Sequence, residues 1–252
     1  MKHHPLLQSI MLTVTFLLGS IGLAYFDIPS PLIDLLMNSF AVVLIYFFTV
    51  IFDKTRLSVL KMTWTKKSAK GFLVSLMLTA LPVVTSAVIA RLVFHEKPFL
   101  IRGTVNATAI IFTLIMFFAE AFIKQGFPEE LIFRAYILNR LKTRYSQLTS
   151  MIWSVLLFTA IHAIHLFKEG IWMGLLVMGY AFSFACLASL LTIIFDTSWA
   201  AVAVHGGIHW WTAVMLLFGV SESPATIAMQ STFLLMLSLY LFYQFKPNIV
   251  GG

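Results

Sequence analysis

Apolar residues fall into eight long runs, approximately 6–25, 33–52, 71–94, 105–127, 148–167, 171–195, 199–218 and 225–245, with short polar stretches between them. A helix needs about 20 largely apolar residues to cross the hydrocarbon of a bilayer, and each run is near that length. The pattern predicts an all-α fold, a polytopic membrane helical bundle of about eight transmembrane helices. The longest polar connection, Asp53 to Lys70, is too short to hold a core of its own, so 1–252 reads as a single integral membrane domain. The first run ends in Ala24-Tyr25-Phe26-Asp27 rather than a small-residue cleavage site, and Lys2 is its only basic flank. It is expected to persist as the first span. There is no internal repeat and no inverted pair of interrupted helices of the kind that marks a transporter.

Local signals refine the runs. Pro82 predicts a kink in the third, and Gly126-Phe127-Pro128-Glu129-Glu130 predicts a break followed by a fresh helix start. Between Lys54 and Lys70, Leu57, Val59, Leu60, Met62 and Trp64 are mixed with basic residues. This mixture fits either an amphipathic helix on the interface or a solvated positive loop. Gly174, Gly179, Ala181, Ala185 and Ala188, then Ala200, Ala201, Ala203, Gly206 and Gly207, read first as close-packing surfaces and second as room for a substrate backbone. The tryptophans fall mostly near run ends, where indole favours the interface.

Composition agrees: 60% of the 252 residues are hydrophobic and 11% charged, with mean hydropathy +0.94, against roughly 25% charged in soluble domains. The net charge of +7 would suggest nucleic acid if it were spread evenly. It is not. Lys54, Arg56, Lys61, Lys66, Lys67 and Lys70 share one connection, and Arg140, Lys142 and Arg144 another. With eight spans both fall on the side of Lys2 and Lys246, while Arg91, Lys97, Arg102 and Lys168 lie near the opposite connections. This positive-inside asymmetry places both termini in the cytoplasm of a cell-membrane protein and implies anionic lipid as the partner on that side. It removes the reason to expect nucleic acid. Cys186 is a lone cysteine with no partner for a disulfide or thiolate site, and reads as a packing residue.

Three polar clusters interrupt the apolar runs: Glu129-Glu130-x-x-x-Arg134, Phe158-x-x-x-His162 and His205-Gly206-Gly207-Ile208-His209. Ionisable groups at membrane depth cost several kcal/mol, so a chain that keeps this many is expected to use them. Glu130 and Arg134, four apart in the favourable acid-before-base order, predict an ion pair, and Glu129 points about 100° away around the helix. One carboxylate then serves structure and the other is available for chemistry, or the cluster is a cap with a surface pair. His162 is followed on the same face by His165, and Phe158 one turn earlier would wall its pocket. His162 fits helix bridging as well as catalysis. His205 and His209 share a face, and the glycines between them leave space. The zinc-protease form His-Glu-x-x-His is absent because Gly206 occupies the glutamate position.

In this order, on separate membrane helices, the clusters resemble the CAAX protease and bacteriocin-processing (CPBP, or Abi) family over about 104–218, with 1–103 adding N-terminal helices and 219–252 a last helix and tail. The resemblance implies a hydrolase, a CAAX-type intramembrane endopeptidase of the kind often labelled metalloprotease. Its substrate would be a membrane-associated peptide, prenylated or of pheromone or bacteriocin type. Carried over, Glu129 and His162 activate water, His205 and His209 stabilise the oxyanion, and Glu130, Arg134 and Phe158 support them. The third motif departs, with His209 where that family usually has Asn or Asp; an imidazole N–H can replace an amide N–H as donor.

That substitution raises a zinc alternative, with His162, His205 and His209 as nitrogen ligands and Glu129 as the oxygen ligand or, in a catalytic site, the base. The resemblance favours no cofactor. A noncatalytic scaffold or immunity protein of the same fold is a second class, and proton-coupled transport using Glu120, Glu129 and histidines a third. If the fourth span ends at 127, Glu129 lies at its edge, whereas His162 is fourteen residues into the next window, about 21 Å of rise away. The two must converge for catalysis.

Overall fold

The computed structural model describes residues 4–26, 29–94, 107–218, 220 and 222–250. Lys2, Asp27, Lys97, Arg102 and position 104 lie outside them. Among the described residues there is no strand, and eight helices are long and apolar enough to cross a membrane. They are α1 (Pro5–Tyr25), α2 (Ser30–Tyr46, continued by a π-helical turn Phe47–Phe52), α3 (Lys66–Phe94), α4 (107–141), α5 (Gln147–Lys168), α6 (Ile171–Phe195), α7 (Trp199–Leu217) and α8 (Pro224–Val250). The eight apolar runs and the membrane class stand as read. α3 continues through Pro82.

α6 and α7 form the centre: 56% and 50% of their spanning windows are buried, against 28% for α1, α2 and α8. From Ser183 to Thr192 every residue of α6 is buried, as expected of a helix apolar on all faces. α7 packs on α3, on α6 and on the middle of α4. Its small residues make this possible. A Cβ on Gly126 of α4 would come within 2.9 Å of the Gly206 backbone nitrogen, and one on Gly206 within 2.3 Å of the Phe122 ring. On Gly207 it would meet Thr79 Oγ1 at 2.6 Å. The glycines therefore admit α3 and α4 rather than leaving space beside the imidazoles, and the packing reading is the one realised. Gly179 is an exception, with nothing near its missing Cβ.

The connection after α2 is neither an amphipathic helix nor a free loop. Lys54 and Lys61 adopt positive φ, 55° and 52°, confining regular structure between them to one 3₁₀ turn, Leu57–Leu60. The end of that turn and the residues just beyond it are pinned to the start of α7: Ser198 Oγ donates to the Leu60 carbonyl at 2.7 Å and Trp199 Nε1 to that of Met62 at 2.7 Å. Lys61 also pairs with Asp196 after α6. At the same end Asp53, 3% exposed at its side chain, accepts from Gln8 Nε2 (2.7 Å) and Tyr136 hydroxyl (2.7 Å) and pairs with Arg140 (3.1 Å). These contacts gather both basic connections, the start of α1 and the ends of α4 and α6 at one end of the bundle. Trp210 and Trp211 depart from the interface pattern: they sit within α7, where Trp211 Nε1 donates to the Leu76 carbonyl at 3.0 Å.

Gly126→Ala is expected to lower stability by about 1–3 kcal/mol, because its Cβ meets backbone that cannot rotate away. Gly179→Ala, with open space, should leave the melting temperature in detergent unchanged or raise it. Thermal unfolding of the two variants side by side checks this.

Candidate active site

The expected break at Gly126-Phe127-Pro128 does not occur. Gly126 is helical (φ −67°, ψ −47°), and α4 runs on to Leu141. Pro128 lacks an N–H and crowds the preceding turn, and the helix absorbs this by widening. Glu120–Gly126 and Leu131–Leu138 are π-helical, and Phe127–Glu130 is a short α-helical link between them. Glu129 is thus twelve residues from the end of α4 (141 − 129), about 18 Å of rise, while His162 is fifteen from the start of α5 (162 − 147), about 22 Å. Both helices leave the same short turn, 142–146, so the two residues reach similar depth and the expected mismatch disappears.

At that depth lies a buried polar hub. Arg134 Nη1 donates to Glu130 Oε1 at 2.9 Å, and both side chains are 0% exposed, so the predicted pair forms in the core and not on the surface. His205 Nδ1 lies 2.9 Å from the same oxygen, and Arg134 Nε donates to Ser189 Oγ of α6 at 3.3 Å. The Arg134 guanidinium carbon sits 4.4 Å from the centroid of the Phe158 ring. Phe158, fully buried, also contacts the rings of His162 (4.7 Å), Phe184 (5.1 Å) and His205 (6.0 Å). It packs on the His162 ring one turn away and braces the hub.

This network fixes ring protons. An ion-paired carboxylate only accepts, so His205 carries its hydrogen on Nδ1; His162 Nδ1, 3.0 Å from the Phe158 carbonyl, does the same. In both neutral rings Nε2 is left as an acceptor. A donor role for His205 toward an oxyanion therefore requires the doubly protonated ring. Glu129 is half-buried, and its Oε2 is buried without a hydrogen-bond partner. His205 is within electrostatic reach of both Glu129 and His162. His209, 5.2 Å from His205 ring to ring, lines a cavity of about 260 Å³ together with Glu120, Gln125, Thr212 and Glu222.

His165 and Glu120 stand apart from the hub. His165 stacks on His162 at 6.1 Å but pairs with Glu169 at 2.7 Å, and Glu120 is over half exposed and pairs with Lys124 at 3.3 Å. Among the described residues no three His, Cys, Asp or Glu side chains are close enough together to hold a metal ion. Cys186 is buried packing. Ser189 and Phe184 were not legible as site residues: a serine in a buried apolar helix is a signal, but Ser183 and Thr192 carry the same one.

Residues 108–211 match the family model described as Type II CAAX prenyl endopeptidase Rce1-like. The matched stretch contains all three clusters, and the resemblance to the CAAX protease family holds. A search of curated proteins found no match.

Glu130→Ala would strand the Arg134 guanidinium in the core and is expected to cost about 3–5 kcal/mol. Ser189→Ala, which removes one neutral partner, should cost about 1–2 kcal/mol. Unfolding titrations in mixed micelles measure both.

Proposed function

From the place of residues 108–211 in the Rce1-like CAAX endopeptidase family, we propose that this chain is an intramembrane endopeptidase that hydrolyses a peptide bond in a membrane-associated, prenylated or pheromone- or bacteriocin-type substrate. The catalytic core is 104–218 within one integral domain, and the end that carries the basic connections faces the cytoplasm. The observation that supports this reading is the contrast between two adjacent carboxylates. Oε1 of Glu130 is held by both Arg134 and His205, whereas Glu129 makes no hydrogen bond or ion pair among the described residues; Oε2 of each is buried without a partner.

In this mechanism Glu129 and His162 take a proton from water, His162 through Nε2 because its Nδ1 is tied to the Phe158 carbonyl. The water oxygen bonds to the scissile carbonyl carbon, whose oxygen becomes an oxyanion. His209 donates to that oxyanion, joined by His205 when its ring carries a second proton, whose charge the Glu130 carboxylate offsets. Collapse breaks the C–N bond, and the proton passes to the leaving amine. Phe158, Arg134 and Glu130 hold the rings in place. No metal takes part.

The test is cleavage of a panel of farnesylated and unmodified C-terminal peptides by the purified protein, with and without a chelator. Glu129→Gln should lower cleavage by at least about 10²-fold while the melting temperature stays near that of the wild type. Wild-type cleavage should resist chelation. Full activity in the variant overturns the assignment of Glu129, and activity lost to chelator and restored by zinc overturns the metal-free mechanism.

A further inference from the structure

The bundle has a cavity larger than the one beside His209. It lies at the basic end, about 430 Å³, lined by Lys61, Lys142, Tyr145, Gln147, Asp196 and the isoleucines 193, 194 and 249. Its charges are unequal in status. Asp196, which ends α6 in a left-handed conformation (φ 50°), is shared by Lys61 and by Lys67 at 3.3 Å. Partial burial works against its charge, but the two ammonium groups hold its carboxyl below the ordinary value, so it is ionised. Lys142 makes no ion pair among the described residues. Burial, and then the nearby Lys61, press its ammonium down to about 8, against the pull of Asp196. A half-buried cation in this position, with two lysines already competing for the one carboxylate, is short of an anion.

The other walls indicate which anion. Gln147 is the first residue of α5, so the positive end of that helix faces the cavity beside its amide side chain. Tyr145 adds a phenol, whose oxygen lies 3.3 Å from His4 Nε2. The isoleucines supply the apolar part of the lining, Ile249 being fully buried. The cavity opens where the ends of α4, α6 and α8 meet the start of α5, which is headgroup level for a bundle of this length. We propose that this cavity binds the phosphate of an anionic phospholipid, with Lys142 and Lys61 on the phosphate oxygens, Gln147 on the headgroup and the isoleucines against the first acyl methylenes. The site is separate from the hydrolytic one and stands or falls independently of it. An anion here would also tie together the loop before α3, the turn 142–146 and the tail of α8.

The experiment uses the full chain in a neutral detergent, titrated with short-chain phosphatidylglycerol, short-chain phosphatidylcholine and inorganic phosphate, and read by native mass spectrometry and melting temperature. One equivalent of phosphatidylglycerol should bind and raise the melting temperature, with phosphatidylcholine at least about tenfold weaker. Loss of one charge-assisted hydrogen bond corresponds to about tenfold in affinity, so Lys142→Gln should weaken phosphatidylglycerol by that factor, and Lys142→Arg should restore it. Lys54→Gln, in the basic connection but outside the cavity, should change nothing. The ligand-free melting temperatures check that each variant is folded. Equal binding of the two lipids, or equal loss in the Lys54 and Lys142 variants, overturns the site. Inorganic phosphate protecting as well as the lipid at the same concentration assigns the cavity to soluble phosphate and overturns the lipid.

Discussion

A charge in the middle of a membrane helix is tolerated only when it is neutralised within reach, and the Glu130–Arg134 pair is the point where this chain meets that condition. The pair is made within one helix, yet it binds four. Ser189 brings in α6, His205 brings in α7, and Phe158 lays an α5 ring on the guanidinium. Ser189 is the one partner of Arg134 Nε, while His205 and Phe158 add a second donor on Glu130 Oε1 and a ring on the guanidinium, so the relative positions of α4, α5, α6 and α7 are set by the same few atoms that orient the imidazoles.

The distance that matters most in this hub, 2.9 Å from His205 to Glu130, depends on a contact with no chemistry at all. Gly126 lies one turn before Glu130, and Gly206 is the neighbour of His205; their backbones meet where a Cβ would stand 2.9 Å from nitrogen. Without side chains at those two positions α4 and α7 approach closely enough for a carboxylate and an imidazole to share a hydrogen bond directly. The Phe122 ring fills the remaining space over Gly206. Small residues and charged residues, read separately in the sequence, are parts of one arrangement.

The spans and the Glu130–Arg134 pair were legible because each rests on a period: length of apolar run in one case, four-residue spacing in the other. What escaped depends on partners distant in sequence. Proline two residues after glycine reads locally as a stop, but the helix keeps its course by widening into π turns on either side, and α4 continues past Gly126 and Pro128, through the two glutamates, to Leu141. The basic connection looked like a helix or a free loop because its pinning to Ser198 and Trp199, over 130 residues away, has no local signature. The ring-proton placement on His162 and His205 is set by a carbonyl and a carboxylate that no spacing rule identifies.

Adjacent glutamates in a membrane helix would be costly if they shared one environment, since two carboxylates side by side repel and neither could be fully paired. The turn of about 100° between consecutive helical residues separates them. One face turns Glu130 into the hub, where Arg134 and His205 both hold its Oε1; the next leaves Glu129 half-buried, with no hydrogen-bond or ion-pair partner among the described residues. In the role proposed for Glu129 that deficit matters, because a carboxylate already engaged by protein donors has fewer acceptor sites for water, while a fully buried and unpaired one would destabilise the fold. By stationing Glu130 and Arg134 directly beside it, the chain keeps the unsatisfied group within a rigid frame without asking it to hold the frame together.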